Sequence, residues 1–231
     1  KNKFNLYSCG FGYNMNSKLL TDLVDLTPYG GSYSFIPDSA MVGTIFINLL
    51  ANIFNQVGNN IALEIPKEFD NLFESKSNFT HLSNRGQSVI LKLRESLPEN
   101  FECKVSGIHL YYGPFEISVN PGLIDNINEF NFEKVRFHFI KDLENSINEK
   151  KFDFTRFEKI ICKTETNELI KNLLEDYNGQ VKEAFELKYY EKWGKHYLPS
   201  LLSAHKQGKC NNFKDPGVQN YIDPEFLKYQ E

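Results

Sequence analysis

Apolar positions recur with three different periods along the chain, and each period predicts a different kind of element. At the start, Phe4 and Leu6 alternate with polar residues toward Gly10 and Gly12, which predicts a strand over 4–11. Asn16 or Ser17 then suits the cap of a short helix carrying Leu19, Leu20, Leu23, Val24 and Leu26. The cluster Pro28, Tyr29, Gly30, Gly31 ends that helix, and 32–36 reads as a second strand. After Pro37-Asp38-Ser39, the apolar set Met41, Val42, Ile45, Phe46, Leu49, Leu50 and Ile53 predicts a helix over 40–57. Thr44, Asn48 and Asn52 form its polar stripe, and Gly58 fits its C-terminal stop.

Beyond Gly58 the period shortens. Runs at 60–65, 89–93, 101–105, 108–112 and 115–119 are separated by turn residues and predict a small antiparallel sheet, with Pro121-Gly122 at its exit. From about Phe132 helical spacing returns. Phe132, Val135, Phe139, Ile140, Leu143 and Ile147 form one face, and Leu169, Ile170, Leu173, Leu174, Tyr177, Val181, Ala184 and Phe185 form another. A helix through Trp193 and His205 follows, with Pro199 kinking it or opening a new turn. Three regions result: 1–58, strand–helix–strand–helix; 59–121, a small β region; and 122–231, helical.

Composition narrows the function classes. The net charge of −4 gives no electrostatic reason to expect nucleic acid or an anionic membrane as partner. No apolar run is long enough to span a bilayer. Cys9, Cys103, Cys162 and Cys210 are far apart and form no CxxC pair, so they read as reduced thiols of an intracellular, cytoplasmic protein. The Asn78-Phe79-Thr80 sequon stays unmodified in such a compartment. The chain opens at Lys1 in mid-pattern and reads as part of something longer.

The densest run of geometry-demanding residues lies near the C-terminus. It contains Trp193, Gly194, His196, Tyr197, Pro199, His205, Cys210, Asn211, Asn212, Phe213, Asp215, Pro216 and Gly217. Asn side chains mimic backbone turns and Asp215-Pro216-Gly217 fixes a reversal, so 211–217 reads as a structured turn. Trp193, Tyr197 and Phe213 are its apolar anchors or, alternatively, the hot spot of a binding surface. His196, His205 and Cys210 lack a fourth ligand and the paired spacing of structural zinc. An imidazole beside Cys210, from His205 or His196, is the enzymatic alternative. Gly10-Phe11-Gly12 lacks the third glycine of a dinucleotide fingerprint and reads as a turn. Asp22, Asp25 and Asp38 read as surface or capping carboxylates.

This block, Trp-Gly-Lys-His-Tyr-Leu-Pro-Ser-Leu through Cys-Asn-Asn-Phe-Lys-Asp-Pro-Gly, resembles the C-terminal signature of eukaryotic proteins built on a von Willebrand factor A domain. Some of these also carry a Hedgehog-intein-like module. Asn178-Gly179-Gln180-Val181, continued by Glu183 and Ala184, resembles the approach to the same block, and residues 4–57 resemble the rear half of the von Willebrand A fold. The resemblance implies a mixed α/β protein: half of an open α/β sheet, a small antiparallel β region and a C-terminal helical region. It implies a non-catalytic interaction or scaffold module working with protein partners, with no cofactor in this chain. The family's metal loop, Asp-x-Ser-x-Ser, is not found in this sequence, so no metal ligand is carried over. A ligand-binding domain whose metal site lies upstream of Lys1 is a further alternative. Two strands and two helices do not cover both faces of a parallel sheet, so the remainder is expected from another segment or chain.

Overall fold

The computed structural model describes residues 5–26, 31–65, 69–71, 78–83, 85–93, 102–119 and 126–230. Phe4, the turn expected at Pro28 to Gly30, the exit at Pro121-Gly122 and the sequon side chains lie outside the described residues.

The chain is mixed α/β. Strands β1 (Leu6–Phe11) and β2 (Gly31–Ile36) pair in parallel, from Leu6 opposite Gly31 to Phe11 opposite Ile36. They are joined by helix α1 (Ser17–Asp25), which packs on both. The Asn16 side chain caps α1 by accepting from the Leu19 amide at 3.0 Å. Asp38 caps a short 3-10 turn that leads into α2 (Val42–Phe54). The expected helix 40–57 therefore ends early. The chain turns at Asn55 and enters β3 (Gln56–Glu64), where Gly58 lies opposite His109 as a strand residue, not a helix stop.

The β region contains β4 (Phe69–Asn71), β5 (Asn78–Ser83), β6 (Leu91–Leu93), β7 (Cys103–His109) and β8 (Gly113–Val119). Four of its strands form an antiparallel sheet in the order β5-β3-β7-β8, while β4 and β6 pair separately. The expected strands 101–105 and 108–112 are one strand with a turn at its end. His109 Nδ1 accepts from the amides of Tyr111 (3.1 Å) and Tyr112 (3.3 Å), which bends the chain back into β8.

The helical region opens with α3 (Ile127–Glu149), capped by the Asn126 side chain. Helix α4 (Thr155–Ile161) was not among the expected helices, although Phe157, Ile160 and Ile161 stand at helical spacing. Its first amides, Arg156 and Phe157, donate to Asp142 Oδ2 at 3.0 and 2.8 Å, so a carboxylate on α3 satisfies its start. There follow α5 (Glu168–Asp176), α6 (Lys182–Phe185), α7 (Leu187–Tyr189), α8 (Lys195–Gln207), α9 (Pro216–Gln219) and α10 (Pro224–Lys228). Two π-turns, Tyr177–Val181 and Tyr190–Gly194, interrupt the run. Pro199 does not break the helix as expected: α8 continues through it, and the interruption lies before α8, at the second π-turn.

Tyr33 and Phe35 of β2 lie in the same apolar cluster as Phe132, Phe139, Phe154, Leu173, Leu198, Leu201, Val218 and Phe226. The parallel pair and the C-terminal helices thus share one core. Every residue of β2 is buried.

Candidate functional site

Helix α8 and the turn that follows it place the signature residues. The helix buries His196, Tyr197, Leu198, Ser200, Leu201, Ala204 and His205. Gly194 stands where α8 enters the core. A side chain there would strike the carbonyl oxygen of Ala184, so only glycine allows the close approach. One turn on, Ser200 Oγ accepts from the Phe35 amide at 3.0 Å, and Ser203 Oγ accepts from the Tyr33 amide at 3.2 Å. These amides point away from β1, and α8 occupies the place of a neighbouring strand.

His196 fastens α8 to the strand–helix junction. Its Nε2 lies 3.0 Å from the Tyr13 carbonyl, which only accepts, so Nε2 carries the proton. Nδ1 then accepts from the Ser17 hydroxyl at 2.5 Å, while the Tyr33 hydroxyl donates to Ser17 Oγ at 3.1 Å. Burial lowers the pKa of His196, keeping it neutral in this role. Ser17 and His196 are both buried, so the hydroxyl–imidazole pair works here as a clasp.

Tyr197, the next residue on α8, makes the contact with the turn. Its hydroxyl donates to Asp215 Oδ1 at 3.0 Å, and Trp193, half-buried, meets its ring edge-on at 5.5 Å. Asn212 organises the turn. Its Oδ1 accepts from the amides of Lys214 and Asp215, both at 3.0 Å, and its Nδ2 donates to Asp215 Oδ2 at 2.9 Å. Asn211 Nδ2 donates to the Ser200 carbonyl at 3.0 Å. Pro216 opens α9, and the Gly217 amide donates to Asp176 Oδ2 at 2.9 Å. A side chain on Gly217 would collide with that carboxylate. Phe213, expected as an anchor, is 47% exposed: the Asn212 turn aims it outward.

Two buried acids lie beneath this turn. Burial, then the charge of Asp215, pushes Asp176 up to about 9, and burial pushes Asp215 up to about 6. Asp176 Oδ1 is buried and has no hydrogen-bond partner among the described residues. Asp176 is therefore a neutral carboxylic acid at pH 7, holding the start of α9.

His205 and Cys210 occupy separate environments. His205 Nδ1 lies 2.6 Å from the Tyr221 hydroxyl, its ring meets Phe139 edge-on at 5.0 Å, and Arg136 donates to its carbonyl. Burial lowers its pKa to about 3. Cys210 Sγ lies 3.1 Å from the Asn212 carbonyl, and burial raises the thiol to about 12, the opposite of an activated nucleophile. Among the described residues no group of three or more His, Cys, Asp or Glu is placed to hold a metal ion.

The stripe Asn48–Asn52 on α2 receives the turn. Asn48 Nδ2 donates to the Asn212 carbonyl at 3.3 Å, and Asn52 Nδ2 donates to the Cys210 carbonyl at 2.7 Å. Gln230 Nε2 closes on Asn48 Oδ1 at 2.6 Å. The i, i+4 spacing of these asparagines was visible in sequence, but their direction was not. Ser17, Tyr33 and Asp176 carried no signal that would have tied them to the block.

A family model described as VWA / Hh protein intein-like matches residues 167–231, the span from α5 through α10 that contains the whole signature. No curated protein matches, and no solved structure matches. The match supports a relationship to von Willebrand A and Hedgehog-intein-type proteins over this part of the chain. No helix among the described residues is long and apolar enough to cross a membrane.

Proposed function

We propose that this chain is a non-catalytic protein–protein interaction module, related to von Willebrand A proteins, whose parallel sheet is extended by a strand from another polypeptide segment. One observation carries the reading: β1 has β2 as its single strand neighbour among the described residues. Main-chain groups alternate in direction along a strand. The Gly12 amide reaches the Ile36 carbonyl at 2.9 Å, so the groups of Leu6, Ser8 and Gly10 face β2, and those of Tyr7, Cys9 and Phe11 face outward. Parallel sheets occur almost only with more strands and both faces covered. Apolar residues are also exposed nearby in the chain: Phe11 and Tyr13 at the strand's end, and Leu19, Leu23 and Leu26 on α1. The separation of Cys210 from His205 and the raised thiol support a role without covalent chemistry.

Amide hydrogen exchange tests the edge. In the isolated chain the amides of Tyr7, Cys9 and Phe11 exchange far faster than those of β2. Binding of the strand-donating partner protects them. Protection of these three amides in the isolated monomer removes the basis of the proposal.

A further inference from the structure

We infer that the chain cleaves its own Asp215–Pro216 peptide bond, with the Asp215 side chain as nucleophile and Asp176 as the acid that protonates the departing nitrogen. The event consumes one bond of the chain itself and acts on no other molecule. It therefore goes beyond the interaction role, and its failure leaves strand addition at β1 untouched.

An aspartyl side chain reaches the carbonyl carbon of its own residue by closing a small ring, and proline contributes a tertiary amide whose nitrogen carries no hydrogen. The carbonyl oxygen of Asp215, where negative charge develops on attack, accepts from the Val218 amide at 3.0 Å and the Gln219 amide at 3.1 Å. These are the opening bonds of α9, and Gln219 Nε2 adds a further donor at 3.3 Å. Tyr197 and Asn212 both donate to the Asp215 carboxylate, which favours its ionised, nucleophilic form. Asp176 stands on the leaving side. Its Oδ2 accepts from the amide of Gly217, the residue after Pro216, at 2.9 Å, so closely that a side chain on Gly217 would strike it. The proton of the neutral acid is then on Oδ1, which is buried and has no hydrogen-bond partner among the described residues.

The Asp215 carboxylate attacks its own main-chain carbonyl carbon, the C–N bond to Pro216 breaks, and the nitrogen takes the proton of Asp176. The product is a cyclic anhydride on Asp215 and a free secondary amine on Pro216. Water opens the anhydride, which restores the side-chain carboxylate and the proton of Asp176 and leaves an α-carboxyl group on Asp215. Val218, Tyr221 and Phe226 lie in the main core, so the severed segment stays seated after the cut.

The two acids must be in opposite states for this reaction: Asp215 ionised, above about 6, and Asp176 protonated, below about 9. The other titratable groups facing the pair are Tyr197 on α8, Cys210 and Lys214 in the turn, and Glu175 beside Asp176 on α5. Burial holds the Tyr197 hydroxyl and the Cys210 thiol in their neutral forms, so the two acids set the profile.

The experiment incubates the purified chain across a range of pH, denatures it and weighs the products by mass spectrometry. Fragments 1–215 and 216–231 appear, their masses together exceeding the intact chain by one water. Their rate of appearance does not depend on protein concentration, and it is greatest between about 6 and 9, falling on either side. Asp176→Asn keeps an acceptor for the Gly217 amide but has no acid proton; with its melting transition retained, it slows the cut by about a hundredfold or more. Pro216→Ala, which keeps both acids, slows it as well. No cut at this bond, a rate that only climbs as pH falls (the ordinary acid hydrolysis of an Asp-Pro bond), or a wild-type rate in either variant overturns the inference.

Discussion

Helices α2 and α8 have the same length, Val42–Phe54 and Lys195–Gln207, yet α8 buries residues along its whole length while α2 buries only Ile45, Asn48 and Ala51. Helix α8 turns Leu198 and Leu201 into the main core and carries His196 and Ser200 in with hydrogen-bond partners, while His205 Nε2 is buried with no partner among the described residues. Helix α2 is the more apolar of the two in sequence, yet it buries Asn48 and leaves Phe46, Ile47, Leu50 and Phe54 exposed. What decides the inward face is the material opposite. The Cys210–Asn212 turn presents carbonyls, and the amide side chains of Asn48 and Asn52 donate to them. A buried polar group with its partner in place is tolerated; one without carries a desolvation cost.

The largest effect expected from this contrast is in the core of α8. Leu198→Ala should cost about 2–5 kcal/mol in denaturant unfolding. Leu50→Ala, at 47% exposed on α2, should stay within about 0.5 kcal/mol. Equal losses at the two sites would show that something covers α2.

Next comes the polar side of α2. Asn48→Ala leaves Gln230 Nε2 without its acceptor and removes one of the donors to the Asn212 carbonyl, which keeps Gln219 Nε2, and should cost about 1–2 kcal/mol. Asn48→Leu should not recover it. If leucine restores the wild-type midpoint, the stripe is apolar in character and the comparison fails.

A smaller signal is a slope with pH. Asp176 sits at about 9 in the folded protein against an ordinary value of 3.8, so between these limits the native state holds more protons than the unfolded one. Its contribution to stability is greatest below 3.8 and falls as pH rises toward 9. Lys209, lowered by burial to about 7 from 10.5, acts in the other direction: stability rises with pH from 7 to 10.5 as the unfolded chain loses its proton. The two slopes oppose each other between 7 and 9. Asp176→Asn should raise stability at pH 7 and leave a profile that climbs on the alkaline side. Urea midpoints for both chains across this range decide it; parallel profiles would mean that Asp176 is ionised in the folded state.

The smallest effects distinguish the two outer aromatics of the signature. Phe213→Ala should change stability by less than about 0.5 kcal/mol. Trp193→Ala, half-buried against Tyr197, should cost about 1–3 kcal/mol. Thermal melts of the two purified variants, without any partner, check both.

These contrasts also mark what the sequence could reveal. Period alone located β1, α1, β2 and the faces of α3 and α5, because each carries an unbroken apolar repeat. The ends of α2 and the existence of α4 depended on partners far along the chain, the entry into β3 and the carboxylate of Asp142. The turn at 211–217 was legible because Asn and Asp impose their geometry locally. Its anchoring was not, since Asp176, Asn48 and Ser200 meet it only in three dimensions. Phe213 shows the cost of reading aromatic residues as core without knowing which way a turn faces.

The serines of α8 set the valency of the parallel pair. With the amides of Tyr33 and Phe35 held by hydroxyls, β2 offers no ladder to a second strand, and growth is confined to the side of β1. The proposed addition of a strand is therefore confined to the β1 side of this pair by two hydroxyl groups on a helix.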